Sequence, residues 1–178
     1  VVGNGNINGT YDVVMREEDG KESRYIFQKV NLFVFKSPKQ IMSNIQKITT
    51  HIANKLEAEG QSRDKVMHFY QREDGKNYLV DAQGFWRISE YVPNSVTYNE
   101  CDNLDRLRSA GSAFGKFQTM LSDFDATELY ETIPNFHNTR SRLAVFFRHV
   151  NEDPCGRVDE VREEIEKIRS LRPLAQRL

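Results

Sequence analysis

Gly3-Asn4-Gly5-Asn6-Ile7-Asn8-Gly9-Thr10 runs directly into Tyr11-Asp12-Val13-Val14-Met15-Arg16, and the fold is read outward from that junction. Residues 10 to 16 are strand-like, Glu18-Asp19-Gly20-Lys21 is a turn, and Arg24 to Val30 returns as a second strand. Asp19-Gly20 therefore predicts a hairpin tip, because glycine takes positive φ without a steric penalty. The glycine-rich run is not G-x-x-x-x-G-K-[ST], and no helix follows it, so it is neither a Walker loop nor a dinucleotide fingerprint. By itself it reads as an ordinary glycine-rich hairpin end. The alternative is a strand–loop–strand roof, with Val1-Val2 ending a preceding strand and backbone N–H groups close to a phosphate.

One helix follows the hairpin. Ile41, Ile45, Ile48, Ile52 and Leu56 recur at helical spacing behind a Ser37 N-cap and Pro38, and Gly60 ends the run. Val66 to Gln71, a turn at Asp74-Gly75, Tyr78 to Val80, a turn at Gln83-Gly84 and Phe85 to Val92 then predict a three-strand meander. After Pro93-Asn94 the pattern becomes helical. Leu104, Leu107, Ala110, Phe114, Phe117, Leu121 and Phe124 form one long stripe. Leu143, Phe146, Phe147 and Val150 mark a second helix, and Val158, Val161, Ile165, Ile168 and Leu171 a third. The expected organisation is α+β: a five- or six-stranded antiparallel layer with one helix over 1–92, then helices over 93–178.

Composition narrows the function classes. Among 178 residues, 25 Lys+Arg stand against 26 Asp+Glu, a net charge of −1 that removes the electrostatic case for nucleic-acid or anionic-membrane binding. Cys101 and Cys155 provide neither a disulfide framework nor metal-ligand spacing. No run of 18 apolar residues and no signal-peptide core is present, so a soluble cytoplasmic protein is expected. A chain that opens on Val1 is not expected to begin at a translation start.

Glu90-Tyr91-Val92-Pro93-Asn94 lies where sheet gives way to helices. It reads as an interdomain linker or as a kinase-type hinge whose backbone groups pair with adenine. The order of Gly loop, hairpin, helix, meander and hinge resembles the N-lobe of the protein-kinase-like, aminoglycoside-phosphotransferase superfamily. More specific stretches are Gly5-Asn6-Ile7-Asn8-Gly9-Thr10-Tyr11, Ser95-Val96-Thr97-Tyr98-Asn99 and Ala110-Gly111-Ser112-Ala113-Phe114-Gly115-Lys116-Phe117-Gln118. Leu121-Ser122-Asp123-Phe124-Asp125-Ala126 and Glu131-Thr132-Ile133-Pro134-Asn135-Phe136-His137-Asn138-Thr139 complete the set. Together they are similar to the N-acetylhexosamine 1-kinase family, whose members phosphorylate the anomeric hydroxyl of N-acetylglucosamine or N-acetylgalactosamine with ATP and Mg²⁺. The similarity runs along most of this chain, which is about half of such an enzyme.

The resemblance implies a nucleotide and an amino sugar as partners. Gly3, Asn4, Gly5, Asn6, Ile7 and Asn8 would lie over the nucleotide phosphates, with Asn6 also facing the sugar. Glu90, Tyr91 and Val92 would contact adenine through backbone groups. The strand lysine that grips the α/β-phosphates falls at Gln28, because alternation puts Lys29 on the opposite face. Its helix partner falls near Gln46, so a Gln–Gln pair would replace the usual Lys–Glu ion pair.

The catalytic parts are missing from the pattern. His51, His68, His137 and His149 are not followed two residues later by Asp, so no catalytic-loop His-x-Asp is present. Asp123-Phe124-Asp125 reads as the end of a helix and a solvated turn rather than a metal motif. In the family the missing motifs, with the Mg²⁺ ligands, follow the helix that ends this chain, so no catalytic residue and no metal ligand is assigned here and no turnover is expected of the chain itself. His137 reads as a loop histidine satisfied by local hydrogen bonds. Cys155-Gly156-Arg157 does not supply the C/S-x-P-x-R of a formylglycine sulfatase. Competing expectations are a non-catalytic nucleotide-binding or assembly module, dimeric through its exposed helices, and a different small-alcohol kinase of the same superfamily.

Overall fold

The computed structural model describes residues 7–98, 100, 101 and 103–175. Gly3, Asn4, Gly5 and Asn6, with the strand expected at Val1-Val2, lie outside the described residues. Two compact units are present, 1–132 and 133–178.

The first unit opens with the expected hairpin. Strands β1 (Gly9–Arg16) and β2 (Glu22–Lys29) pair in antiparallel register over their full length. Gly20 sits at φ +83°, its N–H donates to Glu17 O, and the Asp19 carboxylate accepts the Lys21 N–H at 2.9 Å. Strands β3 (Leu79–Asp81) and β4 (Gly84–Glu90) follow the helix, and the sheet order is β1-β2-β4-β3. The tight β3–β4 turn is held by one carboxylate: Asp81 accepts from Gln83 N, Gly84 N and Trp86 Nε1.

The architecture is α+β with four strands among the described residues, which corrects the expected five or six. Val66 to Gln71 is the difference. β3 already occupies residues 84–86 of that edge of β4, leaving only its last residues to pair. There Tyr70 N donates to Ile88 O and Glu90 N to His68 O, around a single bridge between Phe69 and Ser89. The His68 N–H goes to the Glu90 carboxylate at 2.9 Å, in place of the ladder bond that would extend the pairing.

Helix α1 (Pro38–Ala58) covers one face of this sheet. Alternation puts Val30 and Phe85 on that face, where they are buried with Met42 among Phe35, Ile45, Phe69 and Tyr78. The buried stripe of α1 is Met42, Ile52, Ala53 and Leu56, rotated slightly from the isoleucine stripe that the spacing suggests. The Ser37 side chain makes no capping bond, whereas Pro38 does open the helix. At the other end Gly60 takes φ +66°, with Gly60 N bonded to Glu57 O and Gln61 N to Leu56 O: a Schellman stop.

The first unit also contains α2 (Leu104–Met120), whose N-cap Asn103 accepts the Asp105 N–H. The compositional boundary at 92/93 thus falls inside this unit. The reason is a polar strap along α1. Asn44, Lys47, His51 and Lys55, spaced at helical intervals, all reach the segment 120–130. Asn44 exchanges two hydrogen bonds with the Tyr130 backbone, and Lys47 Nζ donates to Glu128 O at 2.6 Å. Lys55 Nζ and His51 Nε2 lie 2.7 and 3.1 Å from Asp123 Oδ1, and the His51 ring meets Phe124 edge-on. Phe124 is therefore part of this strap and lies beyond the helix whose stripe it was expected to continue.

The second unit carries α3 (Thr139–Glu152) and α4 (Arg162–Ala175), the latter behind a 3₁₀ turn over Val158–Val161. Asn138 caps α3 through Ser141 N, Ile165 is buried, and Arg169 and Arg172 lie over the Phe147 ring. Among the described residues no helix is long and apolar enough to cross a membrane.

Two outcomes test this architecture. Met42→Ala removes a side chain that is 1% exposed at the centre of the core, and should cost about 2–5 kcal/mol in urea denaturation, the range for a large-to-small core change. Asp123 is held down to about 2, chiefly by the Lys55 hydrogen bond. A carboxylate depressed in the fold stabilises it fully above its unfolded pKa and loses that effect as pH falls toward the folded value. The melting-temperature gap between wild type and Asp123→Asn should therefore be constant above pH 5 and close between pH 4 and 2; a gap that stays constant to pH 2 contradicts the strap.

Candidate functional site

The sheet register brings together residues that the sequence keeps far apart. Thr10 faces Gln28 across β1–β2, and Gln28 faces Arg87 across β2–β4. Directly opposed residues share a face, so the three side chains form one row on the side that α1 partly covers. Gln28 is the centre of the row. Its Nε2 donates to Thr10 Oγ1 at 3.2 Å, and its Oε1 accepts from Arg87 Nε at 2.9 Å. Alternation thus assigns Gln28 and Lys29 to opposite faces, and Lys29 lies toward the Trp86 ring.

Arg87 is half-buried, with its guanidinium 5.4 Å from the centre of the Phe69 ring. Burial pulls its pKa below the usual guanidinium value, yet an arginine keeps its charge. Nothing in the sequence reading had singled it out: Arg87 lies among Phe85, Trp86 and Ile88 and reads simply as a strand residue. The available signal was its register opposite Gln28, which requires the strand pairing.

Gln46 does not join this row. Its Oε1 accepts from Gln71 and Asn77, and its Nε2 donates to Thr50, so the Gln28–Gln46 pair that the resemblance implies is not formed. The buried Asn77 needs that acceptor, because its amide also donates to Met42 O. Gln46 and Glu90 instead line a cleft of about 450 Å³ between α1 and residues 63–71. None of the row residues lines it.

The other sequence candidates occupy two places. Ile7 is exposed, and Asn8 Oδ1 accepts the Asn31 N–H at 3.0 Å, which pins the chain leaving the glycine-rich run to the end of β2. At the far end of β4, Glu90 is engaged with His68 through both backbone and carboxylate. Tyr91 lies beneath the Arg24 guanidinium at 4.0 Å, and that guanidinium is ion-paired with Asp12 across the hairpin. The hydrogen bond from Arg24 holds the Asp12 carboxyl below the ordinary carboxylate value. Val92 is exposed, and its carbonyl accepts from Ser95 Oγ at 2.8 Å. One strand, β2, therefore neighbours both the strand that leaves the glycine-rich run and the strand that enters Glu90-Tyr91-Val92.

Asp125 accepts from Thr127 and opens a 3₁₀ turn, while Asp123 is engaged by Lys55 and His51. Among the described residues no three His, Cys, Asp or Glu side chains converge as a metal-binding group. His137 stacks edge-on against Phe136 in the second unit. The chain matches no protein-family model.

The row has a measurable energetic consequence. Gln28→Leu leaves the half-buried Arg87 Nε–H without its acceptor, a loss of about 1–3 kcal/mol in chemical denaturation. Thr10→Val removes only a neutral acceptor from an amide with a second N–H, and should cost less than Gln28→Leu. Equal costs would show that the Arg87 contact carries no particular weight.

Proposed function

We propose that this chain is the nucleotide-covering part of an ATP-dependent sugar 1-kinase acting on N-acetylhexosamines, built on a protein-kinase-like N-lobe over residues 1–92 with the first C-lobe helices over 93–178. One observation carries the reading. The central strand β2 sets Gln28 between β1, which continues the glycine-rich run, and β4, which ends in Glu90-Tyr91-Val92. A nucleotide needs these three elements on one sheet: a backbone cover for phosphates, a polar strand residue beneath it, and an extended segment at the base.

In this reading ATP is the phosphoryl donor, and Mg²⁺, held by residues outside this chain, neutralises charge on the transferring phosphoryl group. The residues present do positioning work. Asn8 anchors the phosphate cover to Asn31, Arg24 fixes the Tyr91 ring at the base segment, and Glu90 to Val92 pair with adenine through backbone groups. No residue of the described chain takes a proton or attacks a phosphorus atom, so catalysis here is the pre-orientation that lowers the entropic part of the barrier. The cytoplasm, where ATP is abundant, is the compartment this reading implies.

A second reading has its own observation. The apolar stripe of α2 is uncovered, with Leu104 70%, Leu107 57% and Phe114 72% exposed, which favours an assembly role for the helical part.

Calorimetric titration of the chain with ATP and with adenosine separates the two. The nucleotide reading expects adenine-dependent binding. Incubation with ATP, Mg²⁺ and N-acetylglucosamine or N-acetylgalactosamine should give no sugar 1-phosphate above background. A chain blind to both ligands and dimeric in sedimentation fits the assembly role instead, and clear product formation overturns the assignment of catalysis to residues outside the chain.

A further inference from the structure

We infer that Arg87 is the phosphate-binding cation of this sheet, taking over from β4 the charge that Gln28 does not bring on β2. The inference rests on the nucleotide reading for its ligand, a nucleoside polyphosphate, and on the structure for its chemistry.

Arg87 stands apart from the other shielded cations of the first unit. Lys47 and Lys55 each reach a carboxylate, on Glu128 and Asp123 respectively, and the exposed Arg24 is ion-paired with Asp12 as well. Among the described residues no carboxylate lies within ion-pair distance of Arg87; its neighbours are the neutral Gln28 amide and the Phe69 ring. A cation withdrawn from water without a counter-charge is unfavourable, and the imbalance is relieved when an anion arrives. Phe69 shields one side of the guanidinium, and its packing against the Val30, Met42 and Phe85 core keeps that wall in place.

The hydrogen bonding leaves the right edge of the group for such an anion. Gln28 takes the Nε–H alone, so the four N–H bonds on Nη1 and Nη2 have no acceptor among the described residues. All four lie in the guanidinium plane, and one from each nitrogen forms a parallel pair, the arrangement that receives two oxygens of a phosphate together. Gln28 is itself held from the other side by Thr10, so the guanidinium is oriented before any ligand binds. Gln28 is then a positioning residue, and its carboxamide is suited to the task where a lysine would repel the cation opposite. Three residues of strand separate Arg87 from Glu90, a rise of roughly 10 Å, comparable with the span from a nucleotide's base to its phosphates.

The test uses the 178-residue chain, with inorganic triphosphate as one probe and adenosine and ATP as the others. Triphosphate should raise the melting temperature of wild type, and Arg87→Met should abolish that shift. In calorimetry Arg87→Met should weaken ATP by about tenfold or more, the loss expected for a charge-assisted contact, with adenosine unchanged. Arg87→Lys keeps the charge and the stem but not the fork; it should bind ATP several-fold more weakly than wild type, and it carries the test if the methionine variant fails to fold. A triphosphate shift that survives in Arg87→Met, one of undiminished size in Arg87→Lys, or none in wild type overturns the inference whatever adenosine does. Adenosine blindness alongside an Arg87-dependent triphosphate shift overturns the nucleotide reading and leaves the phosphate site standing.

Discussion

Helix α1 is used on two sides, and the first unit depends on both. Met42, Ile52, Ala53 and Leu56 are buried along one stripe, with Met42 packed against Val30 and Phe85 of the sheet. Asn44, Lys47, His51 and Lys55 form the other stripe, which binds residues 120–130 through backbone carbonyls and the Asp123 carboxylate. The apolar contact supplies burial, and the polar contact supplies direction, because hydrogen bonds fail within a few tenths of an ångström where packing merely weakens. A helix amphipathic toward one layer only would leave the chain after residue 120 without a place.

The same contrast between compensated and uncompensated charge organises the sheet. Asp12 and Arg24 neutralise each other across the hairpin, and Arg24 also covers Tyr91. Asp81 spends its oxygens on a turn and on the Trp86 indole. On the same sheet Arg87 meets a neutral amide and an aromatic face. The guanidinium is oriented by Gln28, which Thr10 holds from its other side.

Most of the secondary structure was legible from local rules. Asp19-Gly20 marked the hairpin, Pro38 and Gly60 bracketed α1, and Asp74-Gly75 and Gln83-Gly84 marked turns, because each is set by backbone sterics within a few residues. Val66 to Gln71 was misread for the opposite reason. Its pattern suits a strand, but pairing requires a free edge, and β3 had taken residues 84–86 of β4, with a single bridge left at Ser89. The long stripe ending at Phe124 was overextended: helical spacing persists in the letters after Met120, while Asp123 and Phe124 are drawn to α1 instead.

For the candidate site, alternation along β2 put Gln28 and Lys29 on opposite faces, and the structure has them so, with Lys29 toward the Trp86 ring. The identity of its partner was not accessible in the same way. Gln46 has helical spacing that points toward the sheet, yet the buried Asn77 claims its oxygen, while Arg87, 59 residues further along, claims Gln28. The sequence by itself determined the hairpin, the limits of α1 and the opposite faces of Gln28 and Lys29, since these follow from φ restrictions and a two-residue period. Only tertiary structure decided who meets whom, because strand order and competition among buried donors are properties of the assembled chain.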